Sequence, residues 1–254
     1  MFEYKLPLFN PAPLRKEILE NMRDLAVMEQ HARYSEYSDG ILAGCGLFER
    51  NMNIGVKSGL VKFAGRIYVS TGQDNVVYSA TDDWTVLKIR FGNEEKSRDF
   101  KSYKGELVLD EKTAVLPNEL ELGRFKLKKG SRLRTSYIDF QDMETEYDTV
   151  ILIHVPYAGF GESTLSPTIL LNFAREAYPL ATNPLDAAFC TSCLAGSGFM
   201  SREAIHQYLW RKLGGENKQF NNKELHQYLA YLLSDLKGLA RHNGDNPPEG
   251  VLLL

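Results

Sequence analysis

Cysteine is scarce in this sequence, three residues in 254. An odd and small count does not make a disulfide framework, and no second Cys or His pair is spaced to complete a structural zinc site. Long apolar runs are also missing, and no stretch approaches the ~20 residues of a membrane span. The first residues, MFEYKLPLFNPAPLRK, lack the basic start and apolar stretch of a secretory signal. An excess of one sign of charge is nearly absent, with 30 basic and 33 acidic residues giving a net charge of −3. That balance argues against a nucleic-acid binder acting through bulk electrostatics. These absences predict a chain folded in the cytoplasm, with no membrane span, metal, cofactor or nucleic-acid partner.

What is present is ordinary for a globular chain: 43% hydrophobic and 25% charged residues in 28.8 kDa. Area scaling gives roughly 30,000 Å² buried on folding, enough for one large domain or two modest ones. The sequence reads as an α+β chain in three parts. Residues 1–36 hold an apolar arm and a helix. Residues 37–158 form an antiparallel β module of meander, sandwich or barrel-like form. Residues 159–254 form a bundle of about four short helices with an apolar tail.

Phe2, Tyr4, Leu6 and Leu8 alternate with polar residues and proline, as in an edge strand. From Leu14 to about Arg33, Leu14, Ile18, Met22 and Leu25 make one helical stripe. Ser38-Asp39-Gly40 is a turn signal, and short apolar runs follow at Ile41–Phe48, Met52–Lys57, Leu60–Ala64 and Arg66–Val69. In Trp84–Phe91, Thr85, Leu87, Ile89 and Phe91 face one way while Val86, Lys88 and Arg90 face the other, predicting one buried face. Leu120–Leu127 slips phase near Gly123, as a β-bulge does. Arg132–Phe140 reads as a further strand and Thr149–Val155 as a run buried on both sides. Four helices then start at Ser166-Pro167, Asn183-Pro184, Ser201 and Asn221, the last with a capping box to Glu224. On the second of these, Leu185, Ala188, Phe189 and Cys193 make the apolar stripe.

The order from the helix through YSDGI to KSGLVKFAGRIY resembles an attachment module of phage tails and contractile injection particles, in baseplate and fibre-associated proteins. Asp39, Gly40, Gly44, Gly59, Gly65 and Arg66 stand where that pattern places its turn and its later hairpin. The resemblance covers about residues 14–70. It implies a non-enzymatic structural subunit whose partners are other subunits of a multi-protein, oligomeric particle, one that can be released from the cell. Phe2, Tyr4, Leu6 and Leu8 at one end, and Val251, Leu252, Leu253 and Leu254 at the other, are the candidate interaction residues. The alternatives are a carbohydrate- or substrate-binding β-domain with a helical appendage and, third, a hydrolase.

Each chemical motif has a plainer reading beside it. Cys190-Thr191-Ser192-Cys193 falls in the second half of a helix, where buried thiols act as small apolar groups. Pro156–Thr164 follows a strand and precedes a helix, but it lacks the lysine of a phosphate-binding loop and reads as a connector. His154 closes an apolar run between Asp148 and Glu162, where a structural histidine is expected over a general base. Lys126, Lys128, Lys129, Arg132 and Arg134 form a basic cluster, suited to RNA or an acidic partner and otherwise a solvated hairpin. His-Gln-Tyr occurs at 206–208 and again at 226–228, either presented to a partner or repeated by similar packing.

Overall fold

The structure is a computed structural model and describes residues 16–96, 101–214 and 218–238. It divides into two compact units, one ending at Glu36 and the other beginning at Tyr37. The first contains α1, Lys16–Tyr34, with Glu17 in its first turn and His31 and Arg33 in its last. Those charges complement the helix dipole. None of its residues is buried.

The second unit carries eleven strands among the described residues. They are β1 Gly40–Gly44, β2 Leu47–Arg50, β3 Asn53–Val56, β4 Gly59–Phe63, β5 Arg66–Ser70, β6 Asn75–Val77, β7 Trp84–Phe91, β8 Glu95–Lys96, β9 Lys101–Ser102, β10 Gly105–Asp110 and β11 Glu119–Lys126. Three antiparallel sheets result, in the orders β1-β4-β5, β2-β3-β6 and β10-β7-β11, with β8-β9 as a separate pair. Four helices follow, α2 Pro167–Ala177, α3 Pro184–Ala195, α4 Arg202–Leu213 and α5 Asn222–Leu236. The α+β class is as the sequence predicts.

Several details differ from expectation, each for a local reason. Ile41–Phe48 is not one strand. It breaks at Cys45, in left-handed conformation at φ 56°, because β1 pairs with β4 while β2 pairs with β3. Gly44 and Gly59 are partners across β1 and β4. A Cβ on Gly44 would lie 2.2 Å from the Ser58 carbonyl oxygen, and one on Gly59 would lie 2.3 Å from the Cys45 nitrogen. Only glycine lets the chain cross itself there.

β7 is the centre of its sheet, and both its faces are covered around Lys88. The loop after β10 lies over the face expected to meet solvent, and Lys88 Nζ donates to the carbonyls of Lys112 and Ala114 at 3.0 and 2.6 Å. The bulge is found, as a register shift between Glu121 and Gly123.

The strand expected at Arg132–Phe140 is replaced by a loop and a 3-10 turn, Gln141–Glu144. Asp142 accepts from both Arg134 Nη atoms and from the Ile138 amide, curling the segment on itself instead of extending it along a ladder. Thr149–Val155 has the expected mostly buried run, but it pairs only through isolated bridges at Thr149 and Ile151.

The helix ends follow the sequence closely. Asn183 accepts from Leu185 N, Ser201 from Ala204 N, and Asn221 with Glu224 forms the reciprocal capping box. Ser166 stands at the N-cap of α2, but its hydroxyl makes no cap bond. The buried side of α3 is rotated from the expected stripe. It presents Asp186, Phe189, Cys190 and Cys193, and Ala188 is exposed. Asp186 is drawn inward because Tyr208 Oη and Lys212 Nζ both donate to it at 2.9 Å.

Two apolar clusters fill this unit. One joins Ile41, Ile54, Val61, Leu87, Leu122 and Phe125 of the strands. The other gathers α2–α5 around Phe173, Leu209 and Leu229, and it takes in Phe140, Met143, Ile151 and Ile153.

Candidate functional site

The turn at Ser38-Asp39-Gly40 sits on the connector that leads to the helices. Ser38 N donates to the Gly159 carbonyl at 2.9 Å, and Gly159 N donates back to Ser38 Oγ at 3.2 Å. Asp39 Oδ2 accepts from Ala64 N at 3.0 Å, tying this turn to the tight β4–β5 turn that contains Gly65. A Cβ on Gly40 would lie 2.7 Å from Ala158 N. Arg66, just past the second turn, stacks its guanidinium 4.0 Å over the Tyr103 ring. The six signature residues thus lie along β1, β4, β5 and their turns, and each meets backbone, solvent or a neighbouring ring.

Beside Asp39 opens a cleft of about 290 Å³, lined by Phe63, Val115, Glu119, Leu120, Glu121, His154 and Pro156. Its carboxylates are already engaged. Glu119 Oε1 accepts from Arg90 Nε and Nη2 at 2.9 and 2.7 Å, and Oε2 accepts from Leu116 N at 3.0 Å with Lys88 Nζ at 3.3 Å. Burial pushes the Glu119 carboxyl up, but the Leu116 N–H, Arg90 and Lys88 outweigh it and hold it below the usual range. Asp110 is held low by the Lys112 N–H, with Lys88 and Arg90 adding to it. Glu121 grips Arg124 through two bonds of 2.8 and 2.7 Å. His154 is half-buried, and burial followed by the Arg124 charge keeps its imidazole neutral, against a smaller pull from Glu121. No serine, threonine or cysteine lines the cleft.

The remaining motifs resolve into packing. Cys190 and Cys193 are fully buried, and burial lifts their thiols to about 11 and about 12. Cys45 is raised to about 11 by the same cause. Protonated and enclosed, none is a reactive thiolate at neutral pH. In the connector, the amides of Tyr157, Ala158, Gly159 and Thr164 donate to Thr164 O, Ile41 O, Ser38 Oγ and Tyr157 O. Those four N–H groups are spent within the fold, tying the connector to the first turn and to itself.

His206, Tyr208, His226 and Tyr228 are all buried, so the His-Gln-Tyr repeat is a packing pattern and not a presented motif. In the basic cluster, Arg134 is held by Asp142 and Lys126 by Glu146 at 2.8 Å, while Lys128 lies 4.3 Å over the Tyr147 ring. Lys129 and Arg132 are exposed. Among the described residues no group of three or more His, Cys, Asp or Glu could hold a metal ion, and no helix is long and apolar enough to cross a membrane.

The apolar stripe that the sequence shows on the first helix falls on α1, where large apolar side chains are exposed. Leu19, Met22, Leu25 and Met28 are 50%, 65%, 68% and 69% exposed. Ion pairs Lys16–Glu20 and Arg23–Asp24 lie on the side away from Ile18, Met22 and Leu25, while Glu29–Arg33 follows those residues on their own side. The signal is present in the stripe through Ile18, Met22 and Leu25; the exposure of Met22 and Leu25 is not legible from it. Phe2, Tyr4, Leu6, Leu8 and Val251–Leu254 lie outside the described residues.

No family model matches the chain, and no curated protein matches it. Among solved structures, the chain is similar to a crystal structure of TssK, at 10% sequence identity and a TM-score of 0.43, over 92% of this chain and 69% of that one.

Proposed function

We propose that this chain is a non-enzymatic assembly subunit of a phage-tail-like or contractile injection particle, contacting other subunits of an oligomeric baseplate or fibre attachment. The observation that carries the reading is α1. It is a 19-residue amphipathic helix with no buried residue. A helix of this length draws most of its stability from packing an apolar face. Met22 and Leu25, in one stripe with Ile18, offer that face to a neighbouring subunit, and the signature from Asp39 to Arg66 is the part that resembles attachment modules. The commitment of Glu119 to Arg90, Lys88 and Leu116 N, and of Glu121 to Arg124, supports a structural role for the cleft. The apolar ends, Phe2–Leu8 and Val251–Leu254, are proposed as further docking segments.

The test is co-purification with the particle and its neighbouring subunits. Leu25→Asp with Met22→Glu should abolish incorporation while thermal unfolding of the isolated chain shifts by less than about 0.5 kcal/mol, as for surface changes generally. Removal of residues 1–10 should weaken incorporation in the same way. Normal incorporation of both variants would overturn the assembly reading.

A further inference from the structure

His226 is 1% exposed, yet both of its ring nitrogens lack a hydrogen-bond partner. Its ring lies flat on Phe140, with centroids 4.7 Å apart and planes inclined at 14°. Phe140 belongs to the segment from Tyr137 to Glu144 that runs as a strap between strands and helices. The strap has two fastenings. On the strand side, Arg134 grips Asp142 through two bonds, and Tyr137 Oη donates to the Val150 carbonyl at 2.6 Å. On the helix side, Phe140 packs on His226 and Phe173, and its amide donates to Glu176 Oε1.

We propose that His226 is an acid-sensitive latch: when its ring takes up a proton, the strap is released from the helical face while its strand-side fastening stays closed. A charged imidazolium carries two N–H donors, and in this slot neither has an acceptor. The charges around it offer little relief. Glu144 on the strap is the carboxylate within 4 Å among the described residues, at 3.8 Å from Nδ1, and it points half into solvent. Glu176 on α2 is occupied by the Phe140 amide and by Lys237 Nζ. On α4, Arg202 is committed to Ser163, Phe220 and Asn222, and His206 Nε2 accepts from the Phe220 amide. On α5 itself, Lys223 and Glu224 stand a turn earlier, with Glu224 held by Asn221. Burial alone lowers the His226 imidazolium to about 4 in the closed state. With the ring near its ordinary value of about 6.5 once solvated, closure is complete above that pH and is lost as pH falls towards 4.

The experiment is hydrogen exchange of the full chain at pH 7.5 and pH 5.0, with each amide corrected for its intrinsic rate. Opening of the Phe140 amide should rise roughly 25- to 30-fold at the lower pH, following the linkage between those two values, while the Ile138 amide holds with the strand-side fastening. Amides inside α2 should hold. His226→Phe, which fills the slot without a titratable group, should keep the change within about twofold. Should that variant fail to fold, His226→Gln serves, being polar but neutral at both pH values. A strap that opens equally in the wild type and the substituted chain would overturn the latch. So would an unchanged wild-type strap, or loss of the α2 amides in step with it.

Discussion

The strand side and the helix side of the second unit close their polar groups in different ways. On the strand side, charges are buried and paired across long stretches of chain. Lys88 reaches Asp110, 22 residues away, and Arg90 reaches Glu119, 29 residues away. On the helix side Asp186 with Lys212 is a buried pair of the same kind, but short-range caps and neutral rings stand beside it. Asn221 and Glu224 cap each other across three residues, and the histidines at 206 and 226 sit uncharged among aromatic rings. A paired buried charge adds little net stability but is costly to leave half-made. The Lys88 cluster should therefore fail abruptly when one partner is lost, and the helix caps by small steps.

The sharpest way to break this comparison is Lys88→Met. It strips Glu119 and Asp110 of a cation with no exposed side-chain surface of its own. The expected loss is about 3 kcal/mol or more, read from the urea midpoint, and Glu119→Gln added to it should recover part. A loss under about 1 kcal/mol would show that Arg90 alone satisfies the cluster.

An intermediate effect belongs to the seam. Arg202 donates to the carbonyls of Ser163 and Phe220 and to Asn222 Oδ1, while Asn222 Nδ2 donates to Val155 O at 3.4 Å. Arg202→Lys keeps the charge but cannot reproduce the fork, and should cost about 2 kcal/mol by leaving buried carbonyls without donors. Equal stability of the two chains in urea would deny Arg202 that role.

The smallest effect tests the helix side. Asn221→Ala removes one half of the capping box and should cost about 1 kcal/mol, with helical circular dichroism unchanged at low denaturant. A loss as large as that of Lys88→Met would erase the contrast between the two sides.

The same contrast explains what could be read from the sequence. Helix starts at Asn183, Ser201 and Asn221 are decided within three residues, so local pattern found them. The bulge near Gly123 was likewise legible, because a change of phase in alternating leucines is a local event. Lys88 was not, since alternation places it outward and only the loop carrying Lys112 and Ala114 turns that face into interior. Arg132–Phe140 failed for a related reason: strand-like residues were curled by Asp142, a bond that periodicity does not register. Of the candidate site, the signature glycines were visible but the cleft at His154 was not, because its walls come from segments as far apart as Asp39 and Pro156. The uncovered face of α1 could be seen as a stripe, but exposure belongs to the folded chain.

The three enclosed thiols carry a practical consequence. Cys45, Cys190 and Cys193 are the whole cysteine content, and each is at most 3% exposed. A maleimide dye added at neutral pH should find nothing to attach to on the native protein, so the natural chain already serves as a cysteine-free background. Val27, 47% exposed and half a helical turn from the Ile18–Leu25 stripe, is a natural place for one engineered thiol. A fluorophore there would ride on the outer side of α1 and report its tumbling by polarisation. The proposed capture of the helix by a neighbouring subunit could then be timed directly, with Ile18, Met22 and Leu25 left in place.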